Sequence, residues 1–200
     1  MRFRDIPPFT RTANYRVNID LESLPWSIQG YLDKHGLDMD PDFQRAHVWT
    51  EDQQVRFVEY LLRDGVSGRV IYFNHPGWMS DWKGDFVLVD GKQRLEACLR
   101  FLRGELRVFG HLRPEFEDRI SCLTGLVFAV NNLRTRAEVL QWYLDLNTGG
   151  TVHTDAEIEK VKRLLKSEGP TAHTPVARTG SANRIPIRGK KTSDAPRELS

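Results

Sequence analysis

The stretch Phe86-Val87-Leu88-Val89-Asp90-Gly91-Lys92-Gln93-Arg94-Leu95 decides the fold. Its first four residues form an apolar run of strand length, and a helical pattern follows over residues 95–102. A strand that is apolar on both faces is typical of the buried centre of a sheet, so we predict a central strand over residues 86–89. Gly104 is predicted to end the helix.

The turn at residues 90–94 joins this strand to this helix. Asp90 stands at the carboxyl end of the strand, and Gly91 allows backbone to approach a ligand closely. The start of a helix has unpaired amides and a positive potential, and Lys92 and Arg94 add two cations. The combination predicts an anion site suited to phosphate, where Asp90 holds a divalent metal or a ribose hydroxyl, or accepts a proton. The alternative is an ordinary Asp-Gly turn with surface charges.

The rest of the chain alternates between short strands and helices. Further strands are predicted at residues 15–19, 69–73, 106–109 and 126–130, and further helices at 24–35, 114–123, 136–146 and 155–166. Another helix begins at the capping box of Thr50 and Gln53 and ends at Gly65. This pattern predicts a compact α+β domain with a small sheet. We divide the chain into an N-terminal arm (1–14), a domain (15–167) and a flexible tail (168–200) rich in Gly, Pro, Ser, Thr and Arg.

Charge and composition limit the possible partners. Residues 170–200 contain six Arg/Lys and two Asp/Glu, which leaves a net charge of −2 on residues 1–169 out of the total of +2. The domain therefore does not have the strongly basic surface that binds duplex DNA through its phosphates alone. We expect any DNA to bind the tail. No apolar run approaches the ~20 residues of a membrane span, and the two cysteines lack metal-type spacing. We expect a soluble cytoplasmic protein without membrane partners.

Two other segments carry polar groups suited to a ligand. In Asp42-Phe43-Gln44-Arg45, with Trp49 beyond it, the arginine precedes a capped helix and is placed to clamp a phosphate, while an aromatic ring can stack on a base. The alternative is a surface arginine beside core aromatics. The second segment, Asn147-Thr148-Gly149-Gly150, is by itself a helix C-cap and turn.

Taken together and in order, the three segments resemble the N-terminal domain family of GmrSD-type restriction endonucleases. The resemblance covers roughly residues 15–165 and is carried by Pro41-Asp42-Phe43-Gln44-Arg45 with Val48-Trp49, by Val89-Asp90-Gly91-Lys92-Gln93-Arg94-Leu95, and by Leu146-Asn147-Thr148-Gly149-Gly150 with Glu157-Ile158. It implies a fold similar to ParB and sulfiredoxin, with a small mixed sheet surrounded by helices. The family usually has Asp-Gly-Gln-Gln-Arg at the second segment, so Lys92 adds a cation here.

The resemblance implies that the chain binds a nucleoside triphosphate with Mg²⁺ and hydrolyses it, or transfers its phosphoryl group to an acceptor as small-molecule kinases of related fold do. The expected catalytic residues are Asp90, which is also the expected metal ligand, Arg94 and Asp42. The residues expected to bind nucleotide and phosphate are Arg45, Gln44, Gly91, Lys92, Gln93, Asn147 and Gly149.

The sequence leaves two other functions open. Pro41-Asp42 followed by Asp90-Gly91-Lys92 formally matches a metal-dependent DNA nuclease, with two acids for Mg²⁺ and a lysine that polarises water. A non-enzymatic module that senses nucleotide or DNA is the other alternative. The His-Asn-His nuclease motif found beside this family is not in the sequence, so we expect a separate nuclease or effector subunit. A P-loop enzyme is excluded because no Gly-x-x-x-x-Gly-Lys occurs.

Overall fold

Four strands form one mixed sheet in the computed structural model, which describes Arg2 and residues 15–44, 49–147 and 155–169. The strands are β1 (Tyr15–Asp20), β2 (Val70–Asn74), β3 (Val87–Asp90) and β4 (Gly125–Asn131), in the spatial order β1-β4-β2-β3. β4 pairs antiparallel with β1 and parallel with β2, and β2 pairs antiparallel with β3. Because of the last pairing, the carboxyl end of β3 lies beside the start of β2.

In the part of the chain that the structure describes, five α-helices accompany the sheet, which confirms the predicted α+β class. They are α1 (Leu24–His35), α2 (Glu51–Leu62), α3 (Lys92–Leu102), α4 (Arg136–Asn147) and α5 (Asp155–Ser167). The capping box before α2 is present: the Thr50 hydroxyl accepts from the amide of Gln53 (3.3 Å), and the Gln53 side chain accepts from the amide of Thr50 (2.9 Å). Within the described part of the chain, no helix combines the length and apolarity that crossing a membrane requires.

Two predicted elements are wrong. The predicted strand at 106–109 is reduced to an isolated bridge between Val108 and His111, because Phe109 (φ 51°) and Gly110 (φ 81°) turn the chain at once. The predicted helix at 114–123 is only a 3₁₀ turn over Arg113–Glu115. A tertiary contact opposes a longer helix there, since the Glu22 carboxylate accepts from the Ile120 amide (3.2 Å).

The prediction that β3 is a central strand is also wrong, because β3 lies at the edge of the sheet. Its outer edge is covered: the Leu88 amide donates to the Asp38 carbonyl (2.9 Å), and the Gln44 side-chain amide donates to the carbonyls of Leu88 (2.8 Å) and Val89 (3.0 Å). Leu88 and Val89 are both fully buried, one in each of two separate apolar clusters. The apolar run therefore indicates that both faces of the strand are covered. It does not indicate a central position in the sheet.

Each face of the sheet has its own apolar cluster. The larger one contains residues of α1, α2 and α3, together with Phe73, Trp78 and Phe86. The smaller one joins β3 to the last two helices and consists of Phe43, Val89, Leu133, Val139, Leu140, Trp142, Tyr143, Leu144 and Val161. The molecule is thus layered, with helices on both sides of the sheet, and the 90–94 turn lies where both layers meet β3.

The two cysteines differ sharply in environment, which gives a first test of the fold. Cys98 is buried in α3, where burial raises the pKa of its thiol to about 12, and Cys122 is exposed. Because the thiolate is the reactive species, we expect an aromatic disulfide reagent at pH 8 to modify one thiol of the native protein and two after denaturation. Cys122→Ser should remove the native reaction. Equal reactivity of both thiols in the native protein would contradict this packing of α3.

Candidate functional site

The turn between β3 and α3 depends on Gly91. Gly91 is the N-cap residue of α3 and has φ 101° and ψ 9°, a conformation that L side chains rarely adopt. A Cβ added to it would lie 2.6 Å from Cδ1 and 3.2 Å from Cα of Ile71 in β2. The predicted close approach at this glycine is therefore made to the neighbouring strand.

The start of α3 has the polarity that favours an anion. Gly91 provides no capping side chain, and the first turn of α3 contains no acidic residue. By contrast, α2 is capped by Thr50 and has Glu51 and Asp52 in its first turn. The amides at the start of a helix have no partner within that helix, and the helix dipole is positive there. The start of α3 is thus positive, whereas the start of α2 is already compensated.

Arg94 is fixed by three backbone and side-chain acceptors. Its Nη1 donates to the carbonyls of Gly68 (2.7 Å) and Val70 (2.9 Å), just before and at the start of β2. Its Nη2 donates to Oδ2 of Asp90 (2.5 Å). The Arg94 and Asp90 side chains remain 18% and 31% exposed, so solvent still reaches this pair. The guanidinium is held in one orientation at the edge of the turn.

The structure brings the segment around Asp42 to the 90–94 turn. Lys92 forms an ion pair with Asp40, and the amide of Trp49 donates to Oε1 of the buried Gln93 (3.0 Å). The Gln44 side-chain amide donates to β3 just before Asp90. The first two of the three predicted segments therefore share one site.

Asp42 is directed towards the helical layer of the smaller cluster. Both of its carboxylate oxygens accept from Nη2 of Arg136 in α4 (2.7 Å each), and this hydrogen bond is the main cause of the raised pKa of Arg136. The Asp42 carbonyl also accepts from Nζ of Lys160 in α5 (2.5 Å). Asp42 thus connects the loop to α4 and α5.

Of the third predicted segment, Asn147-Thr148-Gly149-Gly150, the structure describes Asn147. Asn147 is the last residue of α4, and its side-chain amide donates to the Tyr143 carbonyl one turn earlier (2.6 Å). The Tyr143 ring in turn packs against Phe43 (5.4 Å between centroids), beside Gln44. Arg45 and Gly149 lie outside the described residues. Their predicted contacts with nucleotide remain predictions.

The sequence did not identify two side chains at the site, Asp40 and Arg136. Asp40 pairs with Lys92 across 52 positions and Arg136 with Asp42 across 94. Pairings at such separations leave no local periodicity or motif in a single sequence. The only available signal was the acid at position 40, directly before Pro41-Asp42.

The carboxylate of Asp90 is a suitable magnesium ligand, but the side chains around it do not form a complete metal site. Among the residues that the structure describes, no three His, Cys, Asp or Glu side chains are grouped to hold a metal. Mg²⁺ commonly binds through one or two carboxylates together with the phosphates of a substrate and several waters. Asp90, beside the positive start of α3, fits that mode as a single carboxylate.

The covering of β3 by Gln44 leads to a stability prediction. Gln44→Leu keeps the size of this buried side chain but leaves the Leu88 and Val89 carbonyls without their donor. We expect the free energy of unfolding in urea to fall by about 2 kcal/mol. The control is Gln141→Leu on the exposed face of α4, where the change should be within about 0.5 kcal/mol. Equal effects of the two substitutions would show that Gln44 does not support the edge of β3.

One protein family matches the part of the chain that contains this site. Neither a curated protein nor a solved structure matches the chain. Residues 28–124 match the family model for the GmrSD restriction endonuclease, N-terminal domain. The matched segment includes Asp42, Gln44 and the 90–94 turn and ends before β4 and α4. Over residues 28–124 the chain therefore resembles the N-terminal domain of the GmrSD restriction endonuclease, which confirms the resemblance that its sequence motifs indicate.

Proposed function

We propose that this chain is a nucleotide-binding enzyme of phosphoryl chemistry that acts in restriction or defence biology related to DNA. The observation that supports the proposal is the start of α3. It has no capping side chain and no acidic residue in its first turn, and it lies beside the fixed guanidinium of Arg94. The match to the GmrSD N-terminal domain supports the biological setting. Hydrolysis of a nucleoside triphosphate is the reaction we favour, with phosphoryl transfer to another acceptor as its variant.

The phosphates would occupy the start of α3. The backbone amides of Lys92 and Arg94 and the side-chain cations of the same two residues would neutralise them, and Arg45 is the third cation that the sequence predicts for the phosphates. Asp90 would hold Mg²⁺, which would add further neutralisation of the transferring group. Positioning and electrostatic stabilisation account for most of the rate in reactions of this kind.

The attacking oxygen also requires a partner that orients it and receives its proton. Asp42 and Asp90 are the carboxylates we propose for this role. The Asp42 side chain is 58% exposed and is held in orientation by Arg136, so it is both accessible and positioned. Water attack would release inorganic phosphate, and attack by an acceptor hydroxyl would transfer the same group.

One experiment separates this function from the two alternatives. The purified protein is incubated with each of ATP, GTP, CTP and UTP and Mg²⁺, with and without DNA, while phosphate release and DNA integrity are followed. Phosphate release supports the proposed enzyme. DNA cleavage that needs metal but no nucleotide would overturn it in favour of a nuclease, and nucleotide binding without phosphate release would leave a sensing module.

Lys92 provides a residue-specific test. Lys92→Gln restores the residue usual in the family and removes one cation from the start of α3, so we expect the Kd for Mg²⁺-nucleotide to rise about tenfold. Stability should hardly change, because the Lys92–Asp40 pair is solvent-accessible. Lys162→Gln on the surface of α5 is the matched control and should leave the Kd unchanged. An unchanged Kd for Lys92→Gln would exclude Lys92 from the phosphate site.

A further inference from the structure

The acids around the candidate site are already neutralised by cations of the same chain. Asp90 pairs with Arg94, and Asp40 pairs with Lys92. Both cations are those that a phosphate would need. A bound phosphate must therefore compete with a carboxylate for each of them. Once the phosphate has taken the cation, it is repelled by the carboxylate of Asp90 or Asp40 that is left unpaired.

The geometry of Arg94 divides its guanidinium into two functional ends. Nη1 donates to the backbone carbonyls of Gly68 and Val70, which are neutral and are not metal-binding carboxylates. Nη2 is bound to the carboxylate of Asp90, whose charge a metal ion can also satisfy. The Nη1 end is an anchor, and the Nη2 end has a partner that can be exchanged without moving the side chain away from β2.

Asp90 is in turn the acid that a metal would need, yet it is not part of a preformed metal site. No group of three metal-binding side chains occurs in the described ranges, so Mg²⁺ alone finds too few ligands and must also displace Arg94 from Asp90. Mg²⁺ alone therefore finds too few oxygen ligands, which the phosphates of a nucleotide would add. A nucleotide alone finds no free guanidinium, which Mg²⁺ would release from Asp90.

We propose that the Asp90–Arg94 pair is a lock that Mg²⁺ and nucleotide open only together. The proposal rests on the function proposed above and specifies how its site is regulated. Asp90 exchanges Nη2 of Arg94 for the metal, and the released Nη2 donates to a phosphate oxygen. Throughout the exchange, Nη1 stays on Gly68 and Val70. The chain thereby discriminates against metal-free nucleotide and against metal alone.

Coupled binding of this kind is reciprocal and measurable. Each ligand increases the affinity for the other by the same factor, and couplings between protein sites typically lie between about 5-fold and 150-fold. Metal-nucleotide association in solution also contributes, so the protein's own share is obtained from a variant that cannot form the lock. Asp90→Asn is that variant, because its neutral amide keeps the shape but neither holds Arg94 by charge nor binds Mg²⁺ well.

The test is calorimetric titration of the full chain with β,γ-imido nucleotides, which do not turn over. Wild-type protein is titrated with nucleotide in EDTA, with Mg²⁺ alone, and with both. We expect no measurable binding of Mg²⁺ alone and at least tenfold tighter nucleotide binding when Mg²⁺ is present. In Asp90→Asn, nucleotide binding in EDTA should become at least fivefold tighter than in wild type, and Mg²⁺ should tighten it by a smaller factor than in wild type. Glu96→Gln, an acid-to-amide change at a partly exposed residue of α3 that pairs with Arg103, should behave as wild type.

The outcomes separate this inference from the function on which it rests. If wild-type protein binds nucleotide equally well with and without Mg²⁺, the lock is overturned and the nucleotide site stands. If Asp90→Asn binds no better than wild type in EDTA, the lock is also overturned. If no nucleotide binds under any condition, both the function and the lock fail. Should Asp90→Asn not fold, measurable binding of Mg²⁺ alone to the wild type, or nucleotide binding that Mg²⁺ does not tighten, still overturns the lock.

Discussion

Gly91→Val will lower the free energy of unfolding by about 4 kcal/mol. Two costs combine: a side chain at φ 101° is strained by about 1–2 kcal/mol, and forcing extra carbon atoms into packed space typically costs about 1–3 kcal/mol. The neighbouring atoms belong to Ile71, one of them in the backbone of β2, so the turn must move as a whole. Since domains of this size are stable by about 5–15 kcal/mol, this single change consumes much of the total.

Urea denaturation followed by circular dichroism measures the effect, and the chain contains a glycine control of opposite sign. Gly30 lies inside α1, and a Cβ added there would have nothing within 4 Å. Gly30→Ala should therefore stabilise the protein by about 0.5–1 kcal/mol, as expected for a helix interior. A fully stable Gly91→Val protein would show that the β3–α3 turn does not pack on Ile71 as described.

Arg94→Ala will weaken the binding of Mg²⁺-nucleotide about 100-fold, and phosphate release will fall at least as far. The substitution removes the oriented guanidinium and leaves Asp90 as an unpaired negative charge beside the phosphates. Loss of a charge-assisted hydrogen bond with such repulsion amounts to about 2.7 kcal/mol. Arg94→Lys should still weaken binding about tenfold, because one ammonium cannot serve both the β2 carbonyls and a phosphate.

The structural role of Arg94 requires a separate control. Removing it also deprives the carbonyls of Gly68 and Val70 of their donor, so the thermal midpoint is recorded for each variant and binding is measured well below it. Arg107→Ala is the comparison for an exposed arginine, which pairs with Glu115 outside the site. If Arg94→Ala is folded and binds nucleotide as tightly as Arg107→Ala does, Arg94 has no part in phosphate binding.

Local signals in the sequence predicted most of the helices correctly. The Thr50 and Gln53 capping box defines the start of α2, and α1 spans the predicted residues 24–35, with Gly36 at φ 61° directly after it. These features act within a few residues of the element they delimit. Predictions failed where a distant residue decides the conformation, as where Glu22 binds the amide of Ile120 in the segment predicted to be helical.

The candidate site shows the same division. Asp90, Gly91, Lys92 and Arg94 are adjacent in sequence, so the strand, the turn and the positive helix start could be predicted from the pattern alone. What the sequence could not show is how the charges are paired, because Asp40 reaches Lys92, and the β2 carbonyls reach Arg94, only after the sheet has formed. The edge position of β3 was hidden for a related reason: covering by Gln44 and by two apolar clusters makes an edge strand as apolar as a central one.

The most direct test of the central claim is hydrogen exchange with mass spectrometry on the full chain, with and without saturating Mg²⁺-nucleotide. The amides of Lys92 and Arg94 lie in the first turn of α3, where the helix itself supplies no acceptor, so a ligand that accepts from them slows their exchange. Our account predicts that nucleotide slows exchange in peptides covering residues 90–95 and, through the Arg94 anchor, in those covering 66–70. Bound nucleotide with unchanged exchange in residues 90–95, or protection confined to other parts of the chain, would contradict it.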